Sequence, residues 1–262
     1  MRDSPLGPIS FPSQIGRPFL PSPRSGQDQV GYPFDTFGPE HLIYLAGLAV
    51  VWVVVLLIGT RYLDAKHRRV VAVGLVIFSL GQESVYDLLK AYHGVWTADT
   101  ALPLHLCALG MLVSCWALIT RRQLVFEVAY FWALAASTQA LLTPDNTRWS
   151  LGELDVFWNF LSHGVVVLNV LYLVVVVGMR CRPGSWLKVF LITNLVTVPI
   201  ALINLVLDAN YFFICRKPGG FSPFLIGDWP WYVLWFEFLG LVFFWLLYLP
   251  MGWAGRREAN NP

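Results

Sequence analysis

The residues that could do chemistry are few, and they sit among apolar neighbours. Glu83, Cys107, Gln139, His163, Asn204 and Asp208 all lie in strongly hydrophobic stretches, where a polar or ionisable group is costly and marks a functional site by default. A cysteine and a histidine suggest a thiol–imidazole pair. A buried thiol is a poor nucleophile until a base takes its proton, and an imidazole within hydrogen-bond reach can do so. Glu83 or Gln139 would orient the ring, and Gln139, Asn204 or backbone N–H groups would stabilise an oxyanion. The bland reading is a packed cysteine and a histidine bonded between helices. Residue types alone leave both open.

Around these, Glu83, Tyr86, Asp87 and Lys90 fall at i, i+3, i+4 and i+7 and share one helix face. They form either the polar wall of a cavity or, for Asp87 and Lys90, a pair reaching the interface. His105 lies about 200° around a helix from Cys107 and so lines a neighbouring contact rather than the same cavity. His41, His67 and His93 read as solvated loop residues, Cys115 as packing, and Cys181 and Cys215 as residues near opposite membrane faces. The four cysteines show no CxxC and no metal-ligand spacing, so neither a disulfide framework nor a metal site is expected.

The elements that must position these residues are membrane spans. Of 262 residues, 56% are hydrophobic and 13% charged, against about 25% charged in a soluble domain. The net charge of +2 is too small for a nucleic-acid partner. Apolar runs at roughly 42–59, 70–89, 101–119, 124–143, 156–179, 187–207 and 231–251 each approach the ~20 residues that cross a bilayer as a helix. The fold class is therefore all-α, a polytopic bundle of about seven transmembrane helices. Residues 1–40 hold 8 of the 17 prolines and read as a disordered tail. The transmembrane domain then covers 41–252, and 253–262 form a short tail. Basic residues alternate loop by loop, eleven on one side against four on the other outside the N-terminal tail. That bias predicts an N-terminus outside the cell membrane and a cytosolic C-terminus.

With these limits, Glu83, Cys107 and His163 fall about 9–11 Å below the outer boundary. Gln139, Asn204 and Asp208 lie slightly nearer that surface, while the inner half reads as almost purely aliphatic. Several strings then resemble one family. Leu102-Pro-Leu-His-Leu-Cys107, Gln139-Ala-Leu-Leu-Thr-Pro144 and Phe160-Leu-Ser-His-Gly164 are similar to hallmarks of the YwaF / transmembrane protein 164 family. So are Asn210-Tyr211, Lys217-Pro218, Pro230-Trp-Tyr232 and Tyr248-Leu-Pro250. The resemblance runs from about residue 40 to 252. It implies a membrane-embedded lipid acyltransferase or transacylase, with catalytic roles falling on Cys107 and His163, membrane lipids as solvent and substrate, and no cofactor. Glu83, Gln139 and Asn204 would support the pair, and His105, Asn210, Tyr211 and Trp231 would meet the substrate at the interface. The alternative is a membrane transporter or ligand-binding protein using the same polar layer, although no inverted repeat or paired Gly/Pro-broken helices appear.

Overall fold

The computed structural model describes residues 33–145, 149–217 and 226–260, with side chains described to Trp253. The tail expected over 1–40 lies outside these residues up to residue 32. The described chain is all helical. Its helices are α1 (Pro39–Arg61), α2 (Ala65–Tyr92), α3 (Leu106–Thr120), α4 (Gln123–Trp132), a π-helical turn Ala133–Ser137, α5 (Thr138–Leu142), α6 (Glu153–Val175), α7 (Ser185–Leu207) and α8 (Trp231–Asn260). Six helical stretches are long and apolar enough to cross a membrane, counting Gln123–Leu142 as one, and α3 is a shorter apolar helix. The protein is a multi-pass membrane protein.

The helix limits follow from local chemistry. Pro39 begins α1, where its missing N–H is no loss. Asp64 caps α2 by accepting the His67 N–H at 2.9 Å. Arg121 ends α3 in the left-handed conformation at φ 52°. The Gln123–Leu142 span and α6 are the most enclosed, and the outer helices α1, α2, α7 and α8 face lipid. α6 packs against α1, α2, α3, α5 and the π turn. Turns α1–α2, α3–α4 and α6–α7 share what we call the basic end.

Four expectations change. The third helix begins at Leu106 rather than 101, and Pro103 precedes it. The Leu102 N–H is held instead by the Tyr211 hydroxyl, 3.0 Å away, so a distant loop fixes 101–105 outside the helix. His41 is fully buried rather than solvated. Its Nδ1 accepts the Phe37 N–H at 2.8 Å and its Nε2–H donates to the Leu141 carbonyl at 2.7 Å, tying α1 to α5. The fourth span is not a uniform α-helix, because the π turn interrupts it. Nor is the inner half purely aliphatic. Asn169 Nδ2 bridges Ser79 Oγ (3.0 Å) and Ser114 Oγ (3.1 Å), joining α6, α2 and α3. At the basic end, buried Glu127 accepts from Arg182 Nε and Nη2, both at 2.8 Å.

Candidate functional site

Cys107 is the second residue of α3, not a residue deep inside a longer helix. The first intrahelical bond runs from the Leu109 N–H to the His105 carbonyl, at 3.0 Å. The N–H groups of Cys107 and Ala108, in the first turn, have no such partner. Glu83 on α2, which packs against α3, is half-buried. Its carboxylate receives the Gln82 amide at 3.4 Å, and Gln82 in turn donates to the Ser79 carbonyl at 3.1 Å.

The placement of Cys107 follows from helix register. Ser114 meets Asn169, and Cys107 and Ser162 each lie seven residues before that contact on helices running the same way. Seven residues are two turns, about 10.5 Å of rise and about 20° of rotation. Cys107 therefore lies toward the outer end of the α3–α6 contact. His163 follows Ser162 on α6, turned about 100° toward α5 and the π turn. Among the described residues, no hydrogen bond joins Cys107 and His163.

The tautomer of His163 is fixed by its partner. Nδ1 lies 2.8 Å from the Asn159 carbonyl oxygen, which can only accept. Nδ1 thus carries the proton, and Nε2 keeps its lone pair. Asn159 Nδ2 also donates to the Ala140 carbonyl at 3.2 Å, anchoring this region of α6 beside Gln139 on α5. Gln139 is half-buried, and its carbonyl accepts the Thr143 N–H at 2.7 Å.

The π turn is the seam between these walls and packs against α3, α6 and α8. Gly110, one turn below Cys107, makes the approach possible: a Cβ there would lie 3.2 Å from Ala133 N and 3.3 Å from the Trp132 carbonyl carbon. Such π turns recur at functional sites.

The remaining expected residues build the surface above. Asn204 is fully buried, and both ends of its amide hold Tyr211: Nδ2 to the carbonyl at 2.9 Å, Oδ1 from the N–H at 2.8 Å. Asn210 organises the same loop, accepting the Arg216 N–H at 2.9 Å and donating to the Arg216 carbonyl at 2.7 Å. Tyr211 Oη donates to the Ala98 carbonyl at 2.8 Å, and the His105 ring lies 5.1 Å from both Tyr211 and Phe213. Because His105 caps α3 from outside, the helical-angle argument does not apply to it. Trp231, 68% exposed, begins α8. Asp208 does not join the polar layer; it ends α7 at φ 50° and pairs with Arg216 at 3.5 Å in the loop.

The match to a family model decides the affiliation. The TMEM164 family model covers residues 36–248. This chain belongs to the TMEM164 family. That stretch includes α1 to α7, most of α8, and every candidate residue named above. No curated protein and no solved structure matches the chain. Among the described residues, no group of three His, Cys, Asp or Glu side chains is placed to hold a metal.

Several neighbours escaped the sequence reading. Asn159, four residues before His163, is marked only by helical spacing. Ser162 and the Ser79–Ser114–Asn169 cluster required knowing which faces meet. Glu237, in the apolar run of α8, carried a direct signal as an intramembrane carboxylate. It accepts from Asn194 Nδ2 on α7 at 3.0 Å. The short contact from the Tyr86 hydroxyl to the Asp155 carboxylate ties the polar face of α2 to α6.

Proposed function

We propose that the protein is a membrane-embedded lipid acyltransferase or transacylase that uses Cys107 as nucleophile and His163 as acid and base. The observation that carries this reading is the state of His163, whose Nδ1 is committed to Asn159, leaving Nε2 with a free lone pair. The basic-residue bias supports a site in the outer half of the cell membrane, with the C-terminus cytosolic.

A lipid ester lies between the α3 and α6 walls, across Ser162. His163 Nε2 takes the thiol proton as sulfur attacks the carbonyl carbon. The resulting oxyanion is held by the Cys107 and Ala108 N–H groups at the start of α3, where the helix dipole favours negative charge. The ester C–O bond breaks, protonated His163 returns its proton to the departing lysolipid oxygen, and acyl-Cys107 remains. His163 then takes a proton from an acceptor hydroxyl as its oxygen attacks the thioester, the C–S bond breaks, and His163 returns that proton to the sulfur to restore the thiol. Glu83 and Gln139 support the two walls. Asn204 acts by holding the Tyr211 loop, beneath which His105, Asn210 and Trp231 meet the headgroup region.

The test is mass spectrometry of detergent-purified protein after incubation with mixed phospholipids. The expected result is a hydroxylamine-labile acyl group on Cys107 that disappears in His163→Ala and Cys107→Ser. An unmodified Cys107 in active-site-intact protein would move the function to transport or ligand binding at the same polar layer.

A further inference from the structure

At the basic end, away from the candidate site, a groove follows the first turns of α2. It is lined by Ala65, Lys66, Arg69, Val70 and Val73 and is a shallow, open concavity of about 540 Å³. Lys66, Arg69, Val70 and Val73 stand at i, i+3, i+4 and i+7, so they form one exposed helix face. Among the described residues, neither the Lys66 nor the Arg69 side chain makes a hydrogen bond or ion pair. Arg68, between them, is turned away and committed to the Gly59 carbonyl (2.9 Å) and the Thr60 carbonyl (3.0 Å). The nearby acid, Asp64, caps the helix and pairs with His67 at 2.9 Å. It leaves the two cations uncompensated. All five lining residues belong to α2.

We propose that this groove holds one anionic glycerophospholipid, its phosphate on Lys66 and Arg69 and an acyl chain along Val70 and Val73. The order of groups along the helix is the argument. The cations lie at the end of the span, and the apolar pair begins one residue further in and continues a turn, about 5 Å, deeper. A phospholipid in a bilayer presents phosphate and chain in that order. Basic groups near an anionic surface attract it electrostatically, and the N-terminal end of α2 adds positive potential. A zwitterionic lipid brings its own ammonium group to the same cations, so the groove favours a net negative headgroup. The proposal is independent of the acyl-transfer reading.

The experiment is native mass spectrometry of the full chain in detergent, titrated with phosphatidylglycerol or phosphatidylcholine. Wild type is compared with Lys66→Gln/Arg69→Gln and with Arg122→Gln/Lys188→Gln, which removes the same charge from exposed positions elsewhere at this end. Arg69→Gln alone reads the groove at smaller amplitude. Wild type and the charge control are expected to retain one phosphatidylglycerol, at least about fivefold more than Lys66→Gln/Arg69→Gln, with phosphatidylcholine weak throughout. Equal retention in the groove variant, equal loss in both double variants, or wild-type binding of phosphatidylcholine as strong as phosphatidylglycerol would each overturn the proposal.

Discussion

At the residue scale, what a side chain can do is set by whether its polar atoms are already engaged. Asn204 shows this best, because its type and position suit an oxyanion donor and its hydrogen bonds do not. Replacing it with Ala leaves the buried Tyr211 N–H and carbonyl unpaired, at roughly 1–3 kcal/mol for each group. Asn204→Ala is therefore expected to unfold earlier in detergent by thermal scanning. An unchanged melting temperature with lost acylation would return Asn204 to the chemistry. Cys181, in the α6–α7 turn, is the opposite case to Cys107. Burial pushes its thiol up to about 12, with the Glu127 carboxylate adding to the shift. A raised thiol pKa favours the neutral form at every pH below it, so Cys181 carries almost no thiolate at pH 8. Iodoacetamide at pH 8 should leave Cys181 unmodified in the folded protein and alkylate it once the protein is denatured, as read by peptide mass spectrometry. Ready alkylation of folded Cys181 would contradict the burial.

At the element scale, the π turn and the short α3 set the shape of the site. The seven apolar runs were legible because crossing a bilayer demands about 20 apolar residues, whatever their tertiary partners. The start of α3 was not, because the Tyr211 hydroxyl that holds Leu102 comes from a loop more than a hundred residues away. The π turn also leaves no periodic mark over five residues. His41 looked like a loop histidine for the same reason, since its second partner is the Leu141 carbonyl on another helix. Gly110 tests the packing between α3 and the π turn. Its neighbours are backbone atoms, which cannot rotate aside. Gly110→Ala should cost about 1–3 kcal/mol through overpacking, read as a lower unfolding midpoint. It should also slow Cys107 acylation, since Cys107 rides on the displaced turn. Wild-type stability would mean that α3 and the π turn separate freely.

At the scale of the whole molecule, the two ends of the bundle are held by different sets of contacts. The candidate-site end is tied largely by neutral hydrogen bonds (His41 to Leu141, Tyr211 to Ala98 and Leu102, Asn204 to Tyr211), with the Tyr86–Asp155 contact joining α2 to α6. The basic end is tied by charge. Glu127 on α4 is fully buried and receives Arg182 from the α6–α7 turn together with Gln123 Nε2 at 2.9 Å, while Gln123 also donates to the Arg180 carbonyl at 2.7 Å. This ion pair, with Glu127 buried and Arg182 exposed, was hidden in the sequence, where Arg182 counted only as one of the basic residues that orient the chain. Removing Arg182 leaves the Glu127 charge buried without compensation, whereas removing both charges does not. Arg182→Ala should therefore lower the melting temperature in detergent more than the double variant Glu127→Gln/Arg182→Ala does. The order decides the matter. A double variant less stable than Arg182→Ala would mean that Glu127 stabilises the bundle through Gln123 and packing, without needing its charge partner.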